Sequence, residues 1–166
     1  MYHKSEFQNM RLFLLRHGDA GFELGVTKDI ERKLTEKGQG QARSVNIWLE
    51  NQLSASAIRV YCSGAKRTRQ TCKLAIDNLS VDEVTYHDEI YYATYKELLA
   101  FVNQISNDVE DVLLIGHNNA ISDFASYILD KEVLFPTGGI IAIVFPMIDK
   151  WEDVGCGTGS EEQRYF

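Results

Sequence analysis

Apolar positions along the chain fall into two alternating patterns: short continuous runs, and longer stretches with a single apolar face. Arg11–Leu15 (RLFLL), Ile58–Cys62, Val112–Ile115 (VLLI) and Ile140–Phe145 (IIAIVF) are of the first kind. Such runs predict strands buried on both faces, and β-branched residues dominate the last of them. Between them lie helical stretches. Thr35 is placed to cap a helix running to about Gln52, with Ala42, Val45, Leu49 and Leu53 on one face. Ser63 or Gly64 opens a second helix, with Thr68, Cys72, Ala75, Ile76 and Leu79 on one stripe. Thr94 caps a third, to about Ile105, and Asn118 or Asn119 a fourth, in which Ile121, Phe124, Ala125, Ile128 and Leu129 align. Tyr86–Tyr92 fits either a strand or a loop.

Strands separated by helices imply right-handed βαβ crossovers and a mostly parallel sheet. The predicted fold is a three-layer α/β/α sandwich. Residues 1–9 read as a polar lead-in, Gly155–Gly159 as a turn, and residues 150–166 as a terminal hairpin or edge strand, Gln163–Phe166 returning after Lys150–Val154. Neither repeats nor low-complexity tracts interrupt the pattern, and Pro136 and Pro146 are the only prolines, so a single domain over residues 1–166 is expected.

Composition narrows the class. A chain of 166 residues with 45% apolar and 25% charged positions, eight Phe, eight Tyr and two Trp has the material for a packed core and is not a disordered sequence. Its net charge of −7 argues against broad nucleic-acid or anionic-membrane binding, and no apolar run approaches the length of a membrane span. The one apolar run near the N-terminus, Leu12–Leu15, is too short for a secretory signal. Cys62, Cys72 and Cys156 are an odd number without a CxxC pair. Inert thiols in a reducing cytoplasm, with no metal site, are therefore expected.

Three strand-to-helix junctions carry the chemistry. The first strand ends in Arg16-His17-Gly18-Asp19-Ala20, the second in Cys62-Ser63-Gly64-Ala65-Lys66-Arg67, and the VLLI strand in Gly116-His117-Asn118-Asn119. In a parallel sheet these ends share one edge, where ligands of open α/β sheets bind. Two histidines and two arginines would then converge. The arginine fork matches phosphate oxygens, and the N-terminus of the helix carrying Arg67 adds positive potential. A neutral imidazole in line with phosphorus can accept a phosphoryl group, while a second, protonated imidazole stabilises the transferring charge.

These residues resemble the histidine phosphatase superfamily. Arg16-His17-Gly18 is similar to its signature triplet. Arg32-Lys33-Leu34-Thr35-Glu36-Lys37-Gly38 resembles its Arg-Pro-Leu-Thr-x-x-Gly segment, with Lys33 in place of proline. Ser63-Gly64-Ala65-Lys66-Arg67-Thr68-Arg69-Gln70-Thr71 resembles Ser-Pro-x-x-Arg-x-x-Gln-Thr, with Gly64 in place of proline, and Gly116-His117-Asn118 matches the segment bearing the second histidine. The Arg-His-Gly-Asp-Ala wording and Pro136-Thr137-Gly138-Gly139 look most like the SixA-type phosphohistidine phosphatases.

The resemblance implies a phosphoglycerate-mutase-like fold and a metal-independent phosphatase without cofactor. His17 would be the nucleophile, Arg16 and Arg67 the phosphoryl ligands, and His117 the transition-state stabiliser, so that these four also bind phosphate. Glu89, or else Asp19, would supply a proton to the leaving group. An imidazole leaving group demands less acid help than an alkoxide, so a dedicated acid is not required. The expected substrate is a phosphohistidine on a protein, such as a phosphotransfer domain or phosphocarrier, reached through an open, shallow site. Small phosphorylated metabolites, a phosphoglycerate-type mutase, a non-catalytic phosphate-binding module, and a metal hydrolase built on His17, Asp19 and His117 are the rival readings. Phosphate, sulfate, tungstate or vanadate should occupy the site.

Plainer roles attach to the neighbours. Lys66 and Arg69 are expected to face solvent, and Arg32 either lines the mouth or pairs with a surface acid. Ser63, Asn118 and Asn119 read as helix caps, Tyr86, Tyr91, Tyr92 and Tyr95 as packing, and His3 and His87 as ordinary. Gly64 is expected to loosen the loop that carries Arg67.

Overall fold

The computed structural model describes residues 10–53 and 57–166; the lead-in at 1–9 and His3 lie outside the described residues. Six strands form one sheet: β1 (Arg11–Arg16), β2 (Ile58–Ser63), β3 (Val81–His87), β4 (Asp111–Gly116), β5 (Ile140–Val144) and β6 (Ser160–Tyr165), in the order β3-β2-β4-β1-β5-β6. The four strands β3, β2, β4 and β1 run parallel, β5 lies antiparallel to β1, and β6 antiparallel to β5. Four helices, α1 (Glu36–Gln52), α2 (Lys66–Ala75), α3 (Tyr95–Val102) and α4 (Ala120–Leu129), complete the α/β/α sandwich. No helix among the described residues is long and apolar enough to cross a membrane.

The continuous apolar runs serve two faces at once, because successive side chains on a strand point in opposite directions. Leu12 and Leu14 of β1 pack with Val112 and Leu114 of β4 under α3 and α4. Phe13 and Leu15 pack with Leu113 and Ile115 under α1 and α2. All eight are fully buried. Each contributes about 1.5–3 kcal/mol of transfer free energy, which is why the two central strands carry charged side chains only at their ends, Arg11, Arg16 and Asp111. Trp151 closes one end of the first cluster and donates its indole N–H to the Val109 carbonyl at 2.8 Å.

Local expectations fail where side chains bond outside their own segment. β3 begins at Val81, ahead of the ambiguous tyrosine stretch, because an edge strand paired only with β2 carries exposed Asp82 and Glu83 and shows no apolar run. α2 starts at Lys66 with Ala65 as its cap residue. The Thr68 hydroxyl lies within donating distance of the Ser63 and Ala65 carbonyls, 2.8 and 2.7 Å, and α2 has no side-chain cap bond. Asn119 sits at the cap of α4 without a side-chain bond. Lys150–Val154 holds a short 3₁₀ turn at Trp151–Asp153 instead of a strand, and the edge strand is Ser160–Tyr165. α3 ends at Val102, short of Ile105. Thr35 caps α1, accepting from the Gly38 amide at 3.1 Å.

The end of β1 meets the first turn of α1 backbone to backbone. A Cβ on Gly18 would lie 2.6 Å from the Gly38 carbonyl oxygen, a distance that real side chains do not reach. The Gly18→Ala variant is therefore expected to lose about 1–3 kcal/mol through overpacking. Thermal denaturation followed by circular dichroism checks this, and an unaltered midpoint would show that the two segments are free to part.

Candidate active site

The register of the two central strands brings the histidines together. Arg16 of β1 pairs with Gly116 of β4, so the residues one step beyond, His17 and His117, emerge side by side. The His17 amide donates to the Gly116 carbonyl at 3.2 Å. The imidazole centroids lie 5.1 Å apart with planes at 58°, and the two residues are only 9% and 8% exposed. The neighbouring strand β2 ends at Ser63, and the first turn of α2 delivers Arg67 to the same edge.

Partners that cannot change their protonation fix both tautomers. His17 Nδ1 lies 2.7 Å from the Gly18 carbonyl, an obligate acceptor, so Nδ1 carries the proton. Its Nε2 keeps a lone pair, which accepts from Arg67 Nε at 3.3 Å. His117 Nδ1 faces Arg67 Nη2, an obligate donor, at 3.4 Å, so its proton resides on Nε2, 2.8 Å from Ser63 Oγ. Burial, and then the nearby guanidiniums, push His17 down from 6.5 to about 4. Burial, and then the charges of His17 and Arg67, push His117 down to about 3. Burial beside a guanidinium thus favours the neutral form of His117 in the unliganded protein, whereas the protonated form was expected with a phosphoryl group in place. Ser63 is a partner of His117 and not a helix cap.

The arginines surround this pair. Arg67 is buried, and beyond the two imidazoles it reaches the main-chain oxygen and Oδ2 of Asp29 at 2.7 and 2.8 Å. Arg16 donates from Nη1 to the Phe135 carbonyl at 2.7 Å, while its buried Nε has no partner among the described residues. Arg32 stands at the mouth: it donates to Asp29 Oδ1 at 3.0 Å and to the Ala20 carbonyl, and its guanidinium stacks over Phe22. Its Nε is likewise buried and unpaired among the described residues. Buried N–H donors without partners are costly, and an oxyanion is the natural acceptor for a group of them.

Residues 12–98 match the sequence profile of the histidine phosphatase superfamily, branch 1. The chain belongs to the histidine phosphatase superfamily. A SixA protein from Nakamurella multipartitia is 26% identical and superposes with a TM-score of 0.81, covering 95% of this chain and 96% of that one. SixA in its tungstate complex, 24% identical, has a TM-score of 0.77 over 93% and 96% of the two chains, a likeness of fold. By sequence, the uncharacterized protein Rv1276c of Mycobacterium tuberculosis is 28% identical over 158 residues, 87% of this chain and 95% of its own. The fold is the phosphoglycerate-mutase-like one of these histidine phosphatases, and family and SixA neighbours together support phosphatase activity.

Departures from the family pattern have local reasons. At Gly64 the amide donates to the His87 carbonyl at 3.3 Å, a bond that proline cannot make. Lys33 pairs with Glu23 at 2.9 Å. Among the flanking cations, Arg69 is exposed and lies over the Tyr86 ring.

The structure does not bring either candidate proton donor onto the imidazoles. Glu89 is exposed, and its carboxylate bonds to His87 Nδ1 at 3.2 Å. Its own backbone amide, and then His87, hold it below the usual carboxylate range, so it favours the ionised state. Asp19 turns toward α1, where its Oδ2 accepts from the Thr35 hydroxyl at 2.7 Å. The metal trio of His17, Asp19 and His117 is thus not assembled, and no group of three or more His, Cys, Asp or Glu suited to a metal occurs among the described residues.

Two site residues escaped the sequence reading. Asp29 gathers Arg67, Arg32 and the Tyr91 hydroxyl, and Tyr91 stands edge-on to His117, with centroids 5.2 Å apart at 90°. The tyrosine cluster is packing at Tyr95, which meets Tyr127, and part of the site at Tyr91. The available signal was the position of Asp29 three residues before Arg32, too weak without the loop's path.

Because both folded-state histidine pKa values lie below 6.5, the unfolded chain binds protons that the native site refuses. Their contribution to stability is full above about pH 6.5 and is lost as pH falls from there toward 4. Nitrogen-15 spectra of the imidazoles are expected to show both rings neutral at pH 7, His17 with its proton on Nδ1. A ring titrating near 6.5 would contradict this assignment.

Proposed function

We propose that the protein is a phosphatase working through a phosphohistidine intermediate on His17, and that its substrate class is phosphohistidine carried on a protein. The observation that carries this reading is the state of His17. Its Nδ1 is held by a carbonyl and its Nε2 presents a lone pair next to Arg67. A buried imidazole pushed down to about 4 is in its nucleophilic form at neutral pH.

In the proposed reaction the phosphoryl oxygens bind to Arg16 and Arg67, Arg16 Nε offering a donor that has no other partner among the described residues. His17 Nε2 forms a bond to phosphorus while the bond from phosphorus to the substrate nitrogen breaks. A phosphohistidine protonated on its far ring nitrogen departs as neutral imidazole, so no side chain has to deliver a proton. Water then attacks the phosphorus on His17, the N–P bond breaks, and the water protons leave with inorganic phosphate. Entry of a dianion beside His117 favours its protonated form, converting a neutral ring into the second cation that stabilises the transferring group.

The rim supports a macromolecular substrate. Phe22 (72% exposed) packs on Arg32, Tyr92 (84%) on Tyr91, and Leu134 (69%) adjoins the Phe135 carbonyl that holds Arg16. Exposed apolar side chains around a charged centre suit a protein surface better than a small polar metabolite. Tungstate bound to SixA, a protein of the same fold, agrees with an oxyanion site. Free Cys62, Cys72 and Cys156 suit a cytoplasmic setting.

The test is turnover of a phosphohistidine-bearing protein against a panel of phosphorylated metabolites, with trapping of acid-labile phosphoenzyme. His17→Ala is expected to leave the fold intact, form no phosphoenzyme and lose at least about 10³-fold in kcat, and Arg67→Ala to lose about 10²-fold in kcat/KM. Preference for a metabolite would overturn the substrate assignment. Absence of both phosphoenzyme and phosphate release would make the protein a binding module. Glu89→Gln is expected to change phosphohistidine hydrolysis by no more than about twofold; a large loss would restore Glu89 as the acid.

A further inference from the structure

Asp29 matches no family segment and has no part in the proposed chemistry, yet the donors of the cluster converge on it. Its Oδ2 accepts from Arg67 Nη2 at 2.8 Å and from the Tyr91 hydroxyl at 2.5 Å, its Oδ1 from Arg32 Nη1 at 3.0 Å, and its main-chain oxygen from Arg67 Nη1 at 2.7 Å. These hydrogen bonds, Tyr91 first, hold its carboxyl well below the usual range. Arg67 thus presents two edges. The outer edge, Nη1 and Nη2, is bound to Asp29, and the inner edge, Nε and Nη2, faces His17 and His117.

The same carboxylate admits two roles of opposite sign. As a negative charge next to an anion site it would weaken phosphoryl binding, and its removal would tighten it. As the anchor of the guanidinium it would strengthen binding, and its removal would weaken it. Two features favour the anchor. The side chain of Asp29 is 48% exposed, so its charge is screened by solvent, whereas that of Arg67 is 6% exposed and its orientation is set by direct bonds. Those bonds also lie on the edge away from the imidazoles, leaving the inner edge available to phosphoryl oxygens.

We propose that Asp29, itself held by Tyr91, is a positioning residue that aims the inner edge of Arg67 at the phosphoryl position between His17 and His117. This rests on the phosphatase reading only for its kinetic consequence, since the orientation of Arg67 is a property of the unliganded protein.

Tungstate titration by calorimetry on the full chain separates the two signs. Anchoring predicts binding about tenfold weaker in Asp29→Ala and about threefold weaker in Asp29→Asn, where the amide oxygen remains an acceptor, with Tyr91→Phe between wild type and Asp29→Asn. In spectra of the unliganded protein, the Arg67 Nε–H signal, assigned by its loss in Arg67→Lys, should stand apart from the other arginines and merge with them in Asp29→Ala. The kinetic counterpart is a raised KM together with a lowered kcat, partly rescued in Asp29→Asn. Equal or tighter tungstate binding in a folded Asp29→Ala, or in Asp29→Asn should the alanine variant not fold, overturns the proposal in favour of a charge that merely opposes anions. If wild type binds no tungstate and forms no phosphoenzyme, the phosphatase reading fails, and the Arg67 Nε–H signal alone decides whether Asp29 orients the guanidinium.

Discussion

One guanidinium in contact with two imidazoles sets the character of the site. Arg67 is a buried guanidinium, so the groups touching it must be neutral or negative. Its Nε donates to His17 and its Nη2 faces His117, which makes both rings acceptors on the sides that face the site. The remaining ring nitrogens then have to be donors, and each finds an acceptor: the Gly18 carbonyl for His17, Ser63 Oγ for His117. In the unliganded protein a carbonyl and an arginine thus set the lone pair of His17 on Nε2.

The sheet was legible in the sequence to the extent that burial was two-sided. β1, β4 and β5 carry apolar runs that no surface element would tolerate, and the strand-end residues Arg16, His17 and His117 follow from them directly. β3 was not legible, since an edge strand with exposed Asp82 and Glu83 looks like loop. The candidate site divides in the same way. Residues carried on strand ends and on the first turn of α2 follow from the fold. Asp29 reaches Arg67 from 38 positions away and Tyr91 reaches His117 from 26, by loop paths that no periodicity encodes.

The neutral form favoured by His117 in the unliganded protein has a single physical cause. Three guanidiniums and two imidazoles in one pocket cannot all be charged without a counter-ion. In the unliganded protein the ring nitrogens yield, being the groups with the lowest cost of neutrality, and Asp29 supplies the compensating charge at the mouth. Under the proposed function, a bound dianion becomes the larger counter-charge and reverses the balance at His117. The site would therefore take up a proton as it takes up substrate, which makes stabilisation of the transferring group contingent on the group being present.

The carboxyl groups bordering the cluster bear on which bonds it can break. Glu89 is engaged with His87 and Asp19 with the Thr35 hydroxyl, and Asp29 is held ionised under three donors. An alkoxide leaving group needs a proton at the moment the bond to phosphorus breaks, and a carboxylate already committed as an acceptor is a poor source. A protonated phosphoimidazole needs none. A cationic cradle rich in fixed donors and poor in titrating acids would thus select its substrate by the leaving group more than by the phosphoryl group, which every phosphate compound shares. Under the proposed function, specificity for nitrogen-bound phosphorus would follow from a missing proton, and the apolar rim would have only to admit the protein that carries it.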